Sequence, residues 1–162
     1  HLEQVALSER RHEPATCIVI DIDGLGALNE SCGVPAGDAV LLEAGSRIEA
    51  LTRASDTFAH LGEDEFALLL PATEARSAVA LAERILAAMR AAMVPVSPAG
   101  FPLRVSIGIA GLETAKLAQG FERKAVADQW LAAAQAAMHD AKRAGGDGYA
   151  LSGADAPSAA GR

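Results

Sequence analysis

The sequence predicts an α/β fold, an α/β sandwich in which helices pack on a mixed sheet. Two observations predict this class. Short runs rich in β-branched residues alternate along the chain with longer segments whose apolar residues repeat at helical spacing. These segments follow the order β-α-α-β-β-α-β-α-β, and a chain of 162 residues suits one domain with an ordinary core.

The first half of the chain predicts a strand, a helix and a hairpin. Residues 17–20 form a short β-branched run, which is typical of a buried strand. Residues 37–53 carry apolar side chains at helical spacing. Residues 57–60 and 66–70 flank a glycine-containing reversal, which predicts two strands joined by a tight turn.

The second half predicts two more helices and two more strands. Residues 73–93 form a long helix rich in Ala, Leu and Arg, and residues 103–110 form the next strand. Residues 129–143 form an Ala-rich helix that ends at the glycines of positions 145–146. Residues 149–151 are expected to form a closing strand.

The chain divides into three parts. Residues 1–14 are polar and charged, and we interpret them as an N-terminal connector from an upstream segment. Residues 15–151 form the domain. Residues 152–162 are rich in Ala, Ser, Gly and Pro, a composition that predicts a disordered tail.

Composition argues against several classes of function. The formal net charge of −7 disfavours a general nucleic-acid binder, which needs a basic face. No apolar run approaches the ~18 residues that span a bilayer, and the N-terminus lacks the pattern of a secretion signal. We therefore expect a cytoplasmic domain that makes no membrane contact. Cys17 and Cys32 match no metal-ligand pattern, and Cys17 is expected to be a small buried hydrophobe.

Four acidic residues fall at predicted strand ends. Asp21 and Asp23 follow the first strand, and Asp64 and Glu65 lie at the hairpin. Carboxylates from two backbone segments suit Mg²⁺, which prefers oxygen ligands and leaves room for phosphate oxygens. Metal ions that bridge phosphates relieve charge in phosphoryl and nucleotidyl transfer. Either acidic pair taken alone is more often a chance pattern or a solvated turn than a functional site.

Five motifs recur at consistent spacing between about residues 15 and 150. They are residues 21–30 (DIDGLGALNE, similar to D-x-D-x-F-K-x-x-N-D), the pair Gly37-Asp38, residues 62–66 (GEDEF), residues 106–110 (SIGIA) and residues 141–145 (AKRAG, similar to A-K-x-x-G). Together they resemble the GGDEF domain family, of the diguanylate cyclase type, with the signature hairpin in altered form.

The resemblance implies a fold, a reaction and partners. The fold is a central mixed, mainly antiparallel sheet flanked by helices, the nucleotidyl-cyclase or palm-like arrangement. Active members bind GTP with Mg²⁺ or Mn²⁺ and meet face to face as a homodimer. Each 3′-hydroxyl attacks the α-phosphate of the other nucleotide, which yields cyclic-di-GMP and pyrophosphate. An upstream sensory domain is expected, and an attached phosphodiesterase domain is common in such proteins.

The resemblance also assigns roles at the acidic positions. Asp21 and Asp64 would hold the metal. Asp64 or Glu65 would help to deprotonate the attacking hydroxyl, which makes these two the candidate catalytic residues.

Four further residues are assigned to substrate. Asn29 and Asp38 would bind the guanine edge, since a carboxylate accepts from the N1–H and amino groups and an amide both donates and accepts. Lys142 would reach the phosphates, and Gly62 opens the hairpin beside them. The alternatives are a helix cap for Asn29, a helix N-terminal charge for Asp38 and a solvated cation near a helix C-terminus for Lys142.

A second predicted site lies before the hairpin. Arg53 and Asp56 form an R-x-x-D motif where the family carries its product-inhibition site, and Arg84 falls where a neighbouring helix adds an arginine. Arginine forks suit phosphate and stack on purines, so cyclic-di-GMP is the expected ligand. The alternative is a surface ion pair between Arg53 and Asp56.

The chain departs from the family pattern at several positions. Glu63 replaces the second glycine of the hairpin, where glycine permits a left-handed turn and close approach to the nucleotide. Gly26, Gly146 and His60 stand where cations are usual. Fewer cations and one added anion predict weak or impaired binding of a triphosphate.

Three hypotheses follow. The domain is a diguanylate cyclase with weak or conditional activity; or it is a catalytically inactive regulatory module that binds GTP or cyclic-di-GMP; or it is a dimerisation unit without a ligand. The acidic and guanine-binding positions favour the first, the missing cations favour the second, and Ala-rich helical faces are compatible with the third.

Overall fold

The computed structural model describes residues 2–11, 13–114, 116 and 119–153. The elements are, in chain order, α1 (Leu2–Arg11), β1 (Ala15–Ile22), α2 (Leu25–Cys32), α3 (Val34–Glu49), β2 (Thr57–Leu61), β3 (Glu65–Pro71), α4 (Ala75–Arg90), β4 (Val105–Gly111), α5 (Arg123–Arg143) and β5 (Gly148–Leu151). None of the helices in these ranges is both long enough and apolar enough to cross a bilayer.

The strands form one mixed sheet with the order β2-β3-β1-β4-β5. Strand β1 lies at the centre and is antiparallel to both β3 and β4. Strand β2 is antiparallel to β3, while β5 is parallel to β4. The predicted fold class, a mixed and mainly antiparallel sheet flanked by helices, is confirmed.

The sheet is buried on both faces at its centre, so every residue of β1 is buried. Successive side chains of a strand point to opposite faces. Ile18 and Ile20 therefore pack in the cluster that includes residues of α3 and α4. Cys17 and Val19 pack in the cluster that includes residues of α5. Burial raises the pKa of the Cys17 thiol to about 12, which makes it an unreactive core residue.

The N-terminal stretch that we interpret as a connector contains helix α1. The side chain of Val5 is fully buried and belongs to the cluster on the α5 face. The helix therefore packs on the domain. At the other end, the Ser152 N–H donates to the Ile109 carbonyl at 2.7 Å, which extends the pairing of β5. Most of the predicted tail, residues 154–162, lies outside the described residues. The domain boundaries themselves stay a prediction.

Two helices begin earlier than predicted. Helix α3 begins at Val34 with a proline in its first turn, and it ends at Glu49, so Arg53 lies in the following turn. A proline is favourable there because the first turn needs no N–H donor. Helix α5 begins at Arg123.

The topology gathers several chain segments at one end of the sheet. Because β1 is antiparallel to β3 and β4, the end of β1 lies beside the beginnings of those two strands. Strand β5 runs parallel to β4, so it also begins there. We call this end, which carries Asp21, Asp23, Asp64 and Glu65, the acidic edge.

Candidate active site

The two predicted acidic pairs do come together at the acidic edge. Asp21 is the cross-strand neighbour of Glu65 in the β1–β3 ladder. The Ile22 N–H donates to the Asp64 carbonyl at 3.4 Å, which ties the hairpin to the end of β1. Asp21 is only 3% exposed, whereas Asp64 and Glu65 are half-buried.

The buried carboxylate of Asp21 lies between the ammonium of Lys142 and the carboxylates of the hairpin. The Lys142 ammonium lies 2.7 Å from Asp21 Oδ1 and is itself partly exposed. Burial raises the pKa of Asp21 above its ordinary value; Lys142 partly offsets this rise, and the charges of Asp64 and Glu65 add to it. Burial lowers the pKa of Lys142, but contact with Asp21 and the charges of Asp23 and Asp64 outweigh that effect and raise it. The acidic edge therefore holds more carboxylates than the single ammonium of Lys142 can neutralise.

The donor set at this edge fits a hard divalent cation. Asp21 Oδ1 is buried and, despite the Lys142 contact, accepts no well-aligned hydrogen bond within the described chain. In the described ranges, no three acidic, histidine or cysteine side chains form a ready-made metal cage. Mg²⁺ needs no such cage, because it is commonly bound by one or two carboxylates together with water and substrate phosphates. Asp21 and Asp64 would supply those carboxylates.

Asp23 has a different role from Asp21, because both of its oxygens are already engaged. The Ser106 hydroxyl donates to Asp23 Oδ1 at 2.7 Å. The Asp147 backbone N–H donates to Asp23 Oδ2 at 2.8 Å. Asp23 thus fastens the turn between α5 and β5 to the end of β1. These partners have no local signal in the sequence because they lie 83 and 124 positions away along the chain.

Asn29 and Asp38 lie on neighbouring helices near the hairpin. Asn29 Oδ1 is buried and has no hydrogen-bond donor among the described residues. The helix cap proposed as its alternative role is not observed, since the N-cap of α3 is Gly33 and no side chain accepts a capping hydrogen bond there. Asp38 is exposed and lies beyond the first turn of α3, which argues against the helix-charge alternative.

A largely apolar groove of about 580 Å³ lies beside Asp38, between α3 and the β2–β3 hairpin. His60 and Phe58 each stack against the Phe66 ring, at centroid distances of 4.7 and 5.6 Å. His60, which replaces a usual arginine, therefore lies against an aromatic wall of this groove. Its imidazole adds a flat ring to the surface.

The other predicted catalytic and substrate residues lie around the same edge. Gln135 of α5 donates to Glu65 Oε2 at 3.3 Å, a contact that sequence analysis did not anticipate. Gly62 lies in the exposed turn of the hairpin, and Lys142 lies in the last turn of α5. The fold thus places Lys142, Glu65 and Asp21 within one small region.

The three residues of the second predicted site also come together. Arg53, Asp56 and Arg84 line a cleft of about 110 Å³ between the end of α3, β3 and α4. The Arg53 backbone N–H donates to Asp56 Oδ2 at 2.8 Å, so Asp56 orders the turn through the main chain. Both arginine side chains are exposed.

Comparison with known proteins decides the family. The model of the family described as "Diguanylate cyclase, GGDEF domain" matches residues 1–148. The chain belongs to the GGDEF family. It is 31% identical over 137 residues, 84% of its length, to the probable diguanylate cyclase DgcC of Escherichia coli K12, and it spans about a third (34%) of that protein.

Solved structures agree with this assignment. The crystal structure of the GGDEF domain of TpbB (YfiN) from Pseudomonas aeruginosa is 30% identical, with a TM-score of 0.79, over 93% of this chain and 89% of the other. The GGDEF domain of DgcB from Caulobacter crescentus, solved in complex with c-di-GMP, is 24% identical with a TM-score of 0.79, over 92% of this chain and 84% of the other. The latter likeness concerns the fold alone.

The altered hairpin of this GGDEF domain has its left-handed residue at position 62. Glycine at position 63 would permit a left-handed turn, but the hairpin does not use one there. Gly62 has the left-handed conformation, with φ of +70°. The described non-glycine residues with positive φ are Ala72 and Asp147, so Glu63 adopts an ordinary conformation. Glu63 therefore differs from the glycine of the family pattern in its charge and bulk, and not in its backbone conformation.

Gly146, another departure, is explained by its surroundings. Its φ is +72°, and a Cβ at this position would lie 2.8 Å from Asp23 Oδ2. A side chain here would strain the backbone and disturb the contact that Asp23 makes with Asp147. In this GGDEF domain the turn after α5 is therefore built for glycine.

Proposed function

We propose that this GGDEF domain is a diguanylate cyclase of low activity, which converts two GTP molecules to cyclic-di-GMP and pyrophosphate. The observation that carries the proposal is the buried carboxylate of Asp21, with a raised pKa, faced by Lys142 and by the hairpin that carries Asp64 and Glu65. Burial opposes ionisation of this carboxylate, and buried acidic groups with perturbed pKa values are concentrated at functional sites.

In the proposed complex, the chain's own residues orient GTP. Asn29 and Asp38 bind the guanine edge, because Asp38 is accessible on α3 and the amide oxygen of half-buried Asn29 has no donor among the described residues. Lys142 binds a phosphate oxygen. Asp21 and Asp64 hold Mg²⁺ or Mn²⁺, which when bound neutralises charge on the phosphates.

The reaction joins two subunits. The 3′-oxygen of one GTP forms a bond to the α-phosphorus of the other, the bond to pyrophosphate breaks, and the hydroxyl proton passes to a carboxylate. Glu65 or Asp64 accepts that proton, and the contact from Gln135 orients Glu65. A homodimer is required because each nucleotide supplies the nucleophile for the other.

Low activity follows from the charge balance at the acidic edge. Glu63 is exposed in the hairpin turn and adds an anion to the carboxylates of Asp21, Asp64 and Glu65. A bound triphosphate is repelled by each of them unless a cation intervenes. We propose that the domain acts in the cytoplasm, where GTP is available, under the control of an upstream sensory domain.

The proposal is tested by incubating the purified chain at high concentration with GTP and Mg²⁺ and separating nucleotides chromatographically. Cyclic-di-GMP is expected from the unaltered chain and is expected to disappear in Asp64→Asn. The matched control is Asp140→Asn, which makes the same change at an exposed residue of α5 that pairs with Arg143. Loss of product in both variants, or formation of product by Asp64→Asn, contradicts the catalytic role assigned to Asp64.

A second candidate function, a regulatory module that binds cyclic-di-GMP without turnover, is favoured by the cleft of Arg53, Asp56 and Arg84. The exposed arginines of this cleft suit the phosphates and purine faces of a guanine dinucleotide bound against it. Titration with cyclic-di-GMP should then show binding that Arg53→Ala weakens about tenfold or more and Arg143→Ala does not. Binding without any product from GTP would favour this module. Absence of binding to either nucleotide would favour a ligand-free dimerisation unit.

A further inference from the structure

Arg104 lies at the acidic edge although it belongs to none of the motifs above. The Asp23 N–H donates to the Arg104 carbonyl at 2.9 Å, so the β1–β4 pairing continues one step and places Arg104 opposite Asp23. In the β4–β5 pairing, Ser106 lies opposite Gly148, which places Arg104 level with Gly146. Arg104 therefore lies between Asp23 on one side and Gly146, in the turn that Asp23 fastens, on the other.

The side chain of Arg104 lies on the same face of the sheet as Asp21. Alternation along β4 puts residues 104 and 106 on one face and Val105 on the other. The Ser106 hydroxyl bonds to Asp23, and Ser106 is the cross-strand neighbour of Asp21. Val105, in contrast, packs in the cluster that includes α3 and α4 residues.

The guanidinium of Arg104 is held loosely. Arg104 Nε lies 3.4 Å from Asp147 Oδ2, and its Nη1 donates to the carbonyl of Leu103 at 2.9 Å. Arg90 binds the same Asp147 more completely, with Nε at 3.0 and 3.1 Å from the two carboxylate oxygens and Nη2 at 2.8 Å from the carbonyl. The side chain of Arg104 is 39% exposed. Release of Arg104 would leave Asp147 paired, and an exposed ion pair of this kind contributes little stability.

Lys142 contacts its carboxylate partner more closely than Arg104 does, so a ligand displaces Arg104 from its partner more easily. The Lys142 contact to the buried carboxylate is 2.7 Å long, whereas the Arg104 contact is long and shared. A guanidinium is also better suited than an ammonium to grip phosphate through two parallel hydrogen bonds. We propose that Arg104 is a polyphosphate-binding residue of this domain, which turns from Asp147 to the β- or γ-phosphate of bound GTP. This inference rests on the proposed function, because it requires GTP at the acidic edge.

The test measures binding by isothermal titration calorimetry with Mg²⁺ and two nucleotides. One is the GTP analogue with a methylene group between the α- and β-phosphorus atoms, which cannot release pyrophosphate. The other is GMP, which lacks the β- and γ-phosphates. We expect Arg104→Gln to raise the Kd of the triphosphate analogue about tenfold and the Kd of GMP less than about twofold. We expect Arg104→Lys to recover part of the loss.

The matched control is Arg76→Gln, which removes the same charge from the first turn of α4, at the opposite end of the sheet; it should bind both nucleotides like the unaltered chain. Unchanged triphosphate binding in Arg104→Gln, with the unaltered chain binding normally, overturns the role of Arg104 and leaves the proposed function standing. An equal loss for GMP also overturns it, since Arg104 would then act on the whole site. If the unaltered chain binds neither nucleotide, the proposed function fails and this inference fails with it.

Discussion

Gly37 of α3 lies so close to Asn29 of α2 that a Cβ at position 37 would stand 1.8 Å from Asn29 Oδ1. No atom can remain at that distance, so the bare backbone of Gly37 is what lets the Asn29 side chain occupy its present position. The first residue of the Gly37-Asp38 motif therefore positions a proposed guanine-binding group, while the second is itself proposed to bind guanine.

Gly37→Ala is expected to displace the Asn29 side chain and leave the fold intact. An alanine is better than a glycine inside a helix, and a side-chain amide can move aside at small cost. GTP affinity should fall about tenfold for the lost hydrogen bond, while ATP affinity should not change, because ATP has no guanine edge for Asn29 to bind. The measurement is a titration with both nucleotides.

The control for Gly37→Ala is Gly45→Ala in the same helix, where a Cβ would lie 3.5 Å from the nearest Phe66 carbon, an ordinary contact. It should keep the preference for GTP over ATP. If Gly37→Ala keeps that preference as well, Asn29 does not bind the guanine edge.

Asp21→Asn is expected to stabilise the nucleotide-free domain at neutral pH. Because the folded-state pKa of Asp21 is raised, the unfolded chain loses this proton first as pH rises. The protonated carboxyl therefore contributes to the stability of the fold; this contribution is complete below the unfolded-state pKa and is lost as pH rises through the folded-state pKa. Asparagine cannot ionise, so the variant does not lose this stability at neutral pH. Its Tm should rise by about 2–4 °C for each kcal/mol gained in the free energy of unfolding.

Thermal unfolding of both chains as a function of pH checks this prediction. The difference in Tm should be largest at neutral pH and should shrink as pH falls below the ordinary range of aspartate. A lower Tm for Asp21→Asn at neutral pH would mean that the ion pair with Lys142 stabilises the fold, and that Asp21 is structural after all.

Gly108→Ala is expected to destabilise the fold strongly. A Cβ at this position of β4 would lie 2.0 Å from the Ala134 carbonyl oxygen and 2.3 Å from the Met138 nitrogen, both in the backbone of α5. Backbone atoms cannot move aside singly, so the helix must shift away from the sheet. The free energy of unfolding should fall by about 3 kcal/mol or more.

Denaturant unfolding of Gly108→Ala measures that loss, with Gly26→Ala as the control because a Cβ at Gly26 would contact nothing within 4 Å. Equal stability of Gly108→Ala and the unaltered chain would mean that α5 does not pack this closely on β4.

Much of the fold and the placement of the acidic pairs were predictable from the sequence. Alternating periods identify the strands and helices, and a carboxylate at the end of a strand must lie at an end of the sheet. The antiparallel pairing of β1 with β3 then brings Asp21 beside Glu65. Helix α1 was not predicted, because most of its residues are polar and its packing depends mainly on Val5.

The finer contacts of the site depend on distant parts of the chain and have no local signal. Asp23 looks equivalent to Asp21 in the sequence, yet its oxygens are engaged by Ser106 and Asp147. The conformation of Glu63 was also not predictable, since the sequence of the hairpin does not say which of Gly62 and Glu63 has the positive φ; the structure places it at Gly62.

Glu63→Gly tests most directly whether this domain is a cyclase slowed by its own hairpin. Glu63 has an ordinary backbone conformation, so the substitution should change activity through charge and bulk and not by relieving strain. The initial rate of cyclic-di-GMP formation from GTP and Mg²⁺ is measured for both chains at equal, high concentration. We predict slow formation by the unaltered chain and formation about tenfold faster by Glu63→Gly, from the removal of one charge that repels the triphosphate. No product from either chain would contradict the cyclase assignment.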